Sequence, residues 1–503
     1  MGYLFMGVDI GTSGVRAALF DMDGNQKSLY HQEYLMKCHE EGMAELDPDE
    51  IFGSLLRVVK ECIAEAGADK NDIAAIGLST QLFSFLAVDG AGNCLTNLIT
   101  WADNRSIRHA EKIRENFDCR EIYNRTGCRV QHPMYPISKI LWLKDTQPEI
   151  FKKVKKFITI KQYIVHRLFN EYVIDITDAS SMGYFNIHRM EWDESVLKDV
   201  LGLDSGYFGT PVECTHVLRN IKEEYAVLMG INAGTPVVVA SGDGMLANVG
   251  CGVFDDSSMS STIGTSGALR IASEKPLLDS EQRTWCYCFT KDTWVAGGAI
   301  NNGGIVLKWL RDDYKSQYEK EMLDQGMDSI YKLFDRYASQ IAPGCQGLIF
   351  LPFLTGERSP NWNALAAGTI HGLRLMHGKR HFIRATMEGI MFRMFSVYEV
   401  ITQITSNVKQ IRANGGYANS EVWLQIQADI FNKEIAVAGV SEAAAFGAAY
   451  VAMAAVGAVN SLKQPLKCMN PQKIIRPITE NNRVYMDAYG DFKNLYAKIY
   501  GSR

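Results

Sequence analysis

The chain has 503 residues, of which 47% are hydrophobic and 22% charged, with a net charge of −5, the make-up of a globular chain long enough for two or more domains. The acidic balance argues against nucleic acid as a main partner, and the one basic run, Lys152-Lys153-Val154-Lys155-Lys156, reads as a solvated helix face. The 11 cysteines include no Cys-x-x-Cys pair and the ten histidines no His-Glu-x-x-His, which leaves no zinc framework and suits a reducing cytoplasm.

Asp9 interrupts the N-terminal apolar run and no basic segment precedes it, so no signal peptide is read there. Tyr3–Val8 and Val15–Phe20 predict a β-hairpin around Ile10-Gly11-Thr12-Ser13-Gly14. A turn at Asp21–Asn25 and a strand over Lys27–Tyr34 follow. A helix starts at Asp47 as N-cap, with Pro48 first and Glu50 completing a capping box; Ile51, Leu55, Val58, Val59, Cys62 and Ile63 recur at helical spacing, and Gly67 closes it. Ile73–Ser79 and Phe83–Val88 read as strands, and Ile107–Arg167 as mostly helical. Gly234–Ser241 is a buried-type strand ending at Gly242-Asp243-Gly244. Strands alternating with helices mean α/β layers.

The pentapeptide then returns. Ile263-Gly264-Thr265-Ser266-Gly267 lies between Ser261–Ile263 and Ala268–Ile271, a second hairpin. A Gly/Thr/Ser loop is ordinary turn chemistry, but it also presents bare backbone N–H groups and small hydroxyls to a phosphate. Two of them suggest a duplicated fold that grips a polyphosphate from both sides. Asp9, at the end of the first strand, is placed to hold Mg²⁺ beside phosphates; the second copy has Thr262 and no acid. A boundary near Gly252–Ser258 divides the chain into 1–252 and 253–503. Later elements are the turn Asn414-Gly415-Gly416-Tyr417, a helix from Ser420, a strand over Glu434–Ala438, and the uncharged stretch Ala443–Val459. That stretch is too rich in Ala and Gly for a membrane span and reads as a buried helix that another backbone or a ligand can approach closely.

Asp243 is the leading candidate base, an acid between two glycines at a strand C-terminus, where α/β folds open onto their ligand. The rival readings are an Asp-Gly turn and a loose Gly-x-Gly-x-x-Ala dinucleotide fingerprint, which an acid between the glycines contradicts. Trp101-Ala102-Asp103-Asn104-Arg105 combines a flat ring with hydrogen-bonding groups, as a sugar contact or as a half-buried Trp beside an ion pair. Gly356-Glu357-Arg358-Ser359-Pro360 is a polar loop after an apolar run. No Gly-x-x-x-x-Gly-Lys-[Ser/Thr] occurs, which excludes a P-loop.

Together these residues resemble the FGGY family of carbohydrate kinases over essentially the whole length. One family signature is visible as Met134-Tyr135-Pro136-Ile137-Ser138-Lys139-Ile140-Leu141-Trp142. Another runs from Gly368-Thr369-Ile370-His371-Gly372-Leu373 through His381-Phe382 to Ala385-Thr386-Met387-Glu388. The resemblance implies a two-domain actin-like ATPase (ribonuclease H-like) α/β fold with an interdomain cleft. It implies transfer of phosphate from ATP, with Mg²⁺, to a terminal hydroxyl of a sugar or sugar acid. Asp243 would be the base and would share the metal with Asp9. Gly11, Thr12, Ser13, Gly264, Thr265 and Ser266 would lie along the phosphates, and Gly304, Gly415, Gly416 and Ser420 near the nucleoside. Gln81, Leu82, Phe83, Trp101, Asp103, His132 and Met134 would face the sugar. Within the family the chain looks most like members that phosphorylate gluconate, on Thr100–Ser106, His132-Pro133-Met134, Ser241–Gly244, Asn301–Val306, Gly356-Glu357-Arg358 and Trp362-Asn363-Ala364. It departs from them at Leu82-Phe83, where they usually carry Met-His, which removes an imidazole and leaves the pocket more apolar. Xylulose or another pentulose or polyol is the alternative acceptor, and an actin- or Hsp70-like ATPase the alternative class. No membrane partner is implied, and a homodimer is compatible with the resemblance.

Overall fold

The computed structural model describes residues 3–440 and 442–501. The opening elements follow the predicted spacing. β1 (Leu4–Ile10) and β2 (Gly14–Phe20) pair antiparallel from Phe5↔Phe20 to Ile10↔Val15, and β3 (Gln26–Glu33) continues beside β2. α1 (Pro48–Glu65) is capped by the Asp47 carboxylate, which accepts from the N–H groups of Asp49 and Glu50, and Gly67 turns the chain out at a φ of 61°. Of the expected capping box, only Asp47's half is present. β4 (Ile73–Thr80) then runs parallel to β1. After a long excursion, β5 (Val217–Leu218) and β6 (Val237–Gly242) complete a sheet of order β5-β6-β4-β1-β2-β3, and α2 (Asp243–Gly250) leaves from its centre.

Two expectations in the excursion are corrected. The strand expected from Phe83 begins at Leu86, because Phe83 itself is left-handed, with a φ of 61°. The turn breaks the strand and sets the Phe83 ring edge-on to Tyr135 and Tyr287 at 5.6 and 5.8 Å. The basic run is no helix face: it spans the turn between a short helix, Pro148–Phe151, and a strand, Lys156–Ile158, with Val154 buried and Lys152, Lys153 and Lys155 exposed.

The second half repeats the plan. β7 (Ser258–Ile263) and β8 (Gly267–Ser273) form the second hairpin; β9 (Trp285–Thr290) and β10 (Thr293–Ile300) extend it past β8. Then come α3 (Gly304–Asp313), α4 (Lys379–Ile404), β11 (Gln410–Asn414), α5 (Glu421–Phe431), β12 (Glu434–Ala438), α6 (Ala443–Ala455), β13 (Pro471–Ile475) and α7 (Thr479–Tyr500). The sheet order is β9-β10-β8-β7-β11-β12-β13. Without β9, this matches β3-β2-β1-β4-β6-β5 strand for strand: an antiparallel hairpin and third strand on one side, two parallel strands and an antiparallel edge on the other. The repeated pentapeptide therefore marks a repeated topology.

α6 belongs to the second half of the sequence but packs on β1, β4 and α2 of the first. Its small residues permit this. A Cβ on Gly77 would stand 2.0 Å from Ala448 O, and one on Gly447 2.0 Å from Leu246 O. Backbone touches backbone, as the Ala/Gly composition of the stretch predicted.

Candidate active site

The second hairpin separates two cavities. A cavity of about 490 Å³ is lined by Gly264, Thr265, Gly304, Gly416 and Ser420. A smaller one, of about 240 Å³, takes Ser266 from the same hairpin, Thr12 from the first hairpin, and Gln81, Leu82, Phe83, Trp101, Met134 and Asp243. Most residues named from the sequence thus line one cavity or the other.

In the larger cavity the backbone does the shaping. Gly303 N–H donates to Thr265 O at 3.1 Å and Gly304 N–H to Gly264 O at 2.7 Å, so the turn before α3 docks on the hairpin. Gly415 lies beneath, at a φ of 89°, against Ile263 O, and leaves Gly416 at the surface of the cavity. Ser420 caps α5: its Oγ accepts from Trp423 N–H and donates to Asp335 Oδ1 at 2.6 Å. Asp335 lines this cavity and was not singled out in the sequence.

The smaller cavity is built around Asp243. β6 carries one extra residue relative to β4 between Val238 and Ser241, with Ala240 at a φ of 46°. This bulge re-aims the strand end, and Asp243 begins α2, where the helix N-terminus favours negative charge. Burial raises the Asp243 pKa, and the Arg270 guanidinium opposes that rise. Both flanking glycines are needed. A Cβ on Gly242 would meet Leu82 Cδ2 at 2.4 Å, and one on Gly244 would meet Arg270 Nε at 2.7 Å. Asp9, at the end of β1, accepts from Ser79 Oγ at 2.7 Å and lies 3.6 Å from Arg16 Nε. Burial first, and then the charge of Asp243, push its pKa up to about 6.

Hydrogen bonds lock the cavity wall. Trp101 Nε1–H donates to Thr12 Oγ1 at 2.9 Å, and Gln81 Nε2 donates to Gly11 O at 3.1 Å. Gly11 and Ser13 are in the hairpin but line neither cavity; Ser13 is exposed. Two proposed sugar contacts also sit elsewhere. Asp103 is fully buried, and its carboxylate accepts from Ala44 N–H and from Arg105 Nε at 3.0 and 2.9 Å; it braces the loop that carries Trp101. His132 Nδ1 accepts from Met134 N–H at 3.1 Å, and the ring stands edge-on to Trp362, 5.0 Å away. Burial, with Arg358 and Arg129 nearby, pushes the His132 pKa down to about 3, so it is a neutral packing group.

Arg270, Tyr287 and Trp285, which no sequence motif marks, and Arg358 of the polar loop also line the cavity. A signal for Arg270 was present. It is the one charge in an apolar strand, and with Ala268 it alternates against Leu269 and Ile271, which are buried on the other face.

A duplicated ribonuclease H-like fold with a cavity on either side of a glycine-rich phosphate-type hairpin defines the class: a two-domain α/β phosphotransferase of the actin-like ATPase type. Residues 4–250 match the N-terminal domain, and residues 259–456 the C-terminal domain, of the FGGY family of carbohydrate kinases. The chain belongs to that family. It is 37% identical over 491 residues to a gluconokinase of Bacillus subtilis (strain 168), covering 97% of this chain and 95% of that protein. Among solved structures it is similar to a gluconate kinase from Lactobacillus acidophilus, with a TM-score of 0.89 at 30% identity, covering 99% of this chain and 98% of that one. It is also similar to a ligand-bound xylulose kinase from Lactobacillus acidophilus, with a TM-score of 0.91 at 30% identity and 99% of each chain covered. No helix among the described residues is long and apolar enough to cross a membrane.

Proposed function

We propose that this carbohydrate kinase transfers the γ-phosphoryl group of ATP to the 6-hydroxyl of gluconate, with Asp243 as the base. One observation carries the reading: the Gly264-Thr265-Ser266 hairpin lines both cavities, so a nucleotide in the larger one reaches Asp243 in the smaller by laying its phosphates along that hairpin. The identity to a gluconokinase supports gluconate as the acceptor.

Asp243 accepts the proton of the acceptor hydroxyl as its oxygen attacks the γ-phosphorus; the bond to the β–γ bridging oxygen breaks, and ADP leaves. Burial raises the basicity of Asp243, and the Arg270 guanidinium opposes that rise. Thr12 and Ser266 offer hydroxyls from opposite hairpins, and Trp101 and Phe83 exclude water from the acceptor. Asp9 suits Mg²⁺. Its carboxylate lies under the charge of Asp243, and one or two carboxylates with phosphate and water ligands are the set this ion takes. When bound, Mg²⁺ neutralises phosphate charge.

The test is ADP release from MgATP with gluconate, xylulose, ribulose, glycerol and erythritol, beside Asp243→Asn. Gluconate should dominate the panel. Asp243→Asn should keep ATP binding and lose transfer by about 10²–10⁴-fold. Turnover confined to xylulose or ribulose would replace gluconate, and an active Asp243→Asn would remove Asp243 as the base.

A further inference from the structure

Two guanidinium groups line the smaller cavity, and their situations differ. Arg270 faces Asp243 and donates to Thr262 Oγ1 at 3.3 Å. Arg358 is 9% exposed and forms no ion pair with any acid among the described residues. Its Nε–H has no acceptor, and its Nη1 reaches only the Met134 thioether sulfur, at 3.6 Å, a weak acceptor. The adjacent acid does not serve it: the Glu357 carboxylate is turned to Arg393 on α4. Arg358 is nevertheless held in place, 5.3 Å above the ring of Trp101, which is itself tied to Thr12. A buried cation without a counter-charge is costly, and burial lowers this guanidinium's pKa to about 10. An oriented, unpaired guanidinium in the wall of a substrate cavity is a receptor for a carboxylate, which it can bind through two parallel N–H···O bonds.

We infer that Arg358 binds the carboxylate of the acceptor and so selects sugar acids over neutral ketoses and polyols. The inference rests on reading this cavity as the acceptor site. Gluconate carries its carboxylate at one end and its primary hydroxyl at the other, so Arg358 and Asp243 address opposite ends of one molecule. The acidic substrate supplies the charge that the protein withholds from Arg358, which compensates for the imidazole missing at Leu82-Phe83.

The measurement is kcat/KM for gluconate and for gluconamide, its neutral counterpart, in wild type, Arg358→Gln and Arg358→Lys. The ratio of the two acceptors cancels any loss of folded enzyme. Wild type should favour gluconate by about 10²-fold or more. Arg358→Gln should bring the ratio within about tenfold of unity, mainly through KM for gluconate, and Arg358→Lys should restore part of it, having the charge without the fork. A wild-type ratio near one, or an equal loss on both acceptors in Arg358→Gln, overturns the inference. If wild type uses another sugar acid in place of gluconate, the gluconate reading fails and Arg358 is judged by the same ratio for that acid and its amide. If only neutral sugars are used, both fail.

Discussion

The place of Asp243 depends on its immediate neighbours: a missing side chain on each side lets Leu82 and Arg270 close in on it. The same economy holds Lys139, which has no exposed surface and donates to Thr100 O and to Met134 O, the latter at 3.1 Å. It joins the loop before Trp101 to the segment bearing Met134, both in the wall of the smaller cavity. Burial pushes the Lys139 pKa down to about 7, against the pull of Asp103. From about pH 7 to the ordinary lysine value the unfolded chain holds a proton that the folded chain lacks, so this residue makes stability rise with pH across that window. Below about pH 7 the full cost of the buried ammonium is present. Lys139→Met should therefore flatten the rise of thermal midpoint between pH 7 and 10 relative to wild type; parallel profiles would show that Lys139 does not titrate there.

At the scale of elements, α6 decides how close the layers come. Gly77 lies on β4 under Ala448, and a methyl group there would overlap a backbone carbonyl that cannot rotate away. Gly77→Ala should destabilise the protein by about 3 kcal/mol or more, at or beyond the upper end of what overpacking costs. Gly53→Ala is the matched control. Gly53 is exposed on α1, a Cβ there meets nothing within 4 Å, and the substitution should stabilise by about 1 kcal/mol. Denaturant titration of the pair checks both; a tolerated Gly77→Ala would mean that α6 can shift outward. The hairpins, α1, β4 and the Ala-rich helix were legible in the sequence because period, cap and composition agreed. The strand at Phe83 was not. Phe83-Ser84-Phe85 has strand composition, and the left-handed turn at Phe83 is accompanied by ring contacts with Tyr135 and Tyr287, which lie far along the chain.

For the whole molecule, α6 means that the two halves are not separate in space. Residues 1–252 by themselves would leave the faces of β1, β4 and α2 that α6 covers open to water. Expressed alone, this segment should show no cooperative unfolding transition, and mixing it with residues 253–503 should restore one. A sharp transition in the isolated segment would show that α6 is dispensable to that sheet. The smaller cavity is likewise a joint product, with Thr12, Gln81 and Asp243 from one half and Ser266, Arg270 and Arg358 from the other. Tyr287, in its wall, meets Tyr135 of the other half hydroxyl to hydroxyl at 2.9 Å.

The sequence by itself determined the duplicated α/β plan, the two phosphate-type hairpins, the family and the acid at the strand end. Each is written in residues adjacent along the chain, where glycine, hydroxyl and apolar periodicity act locally. It did not determine which polar groups line the smaller cavity. Asp103 and His132 have the right chemistry but are satisfied by their own neighbours, Arg105 and Met134. Arg270 and Arg358 look like a strand charge and a loop charge until the second half closes over the first. Only tertiary structure decides which charges find partners, because pairing depends on distances between residues remote in sequence, and it leaves the Arg358 guanidinium without an acid among the described residues.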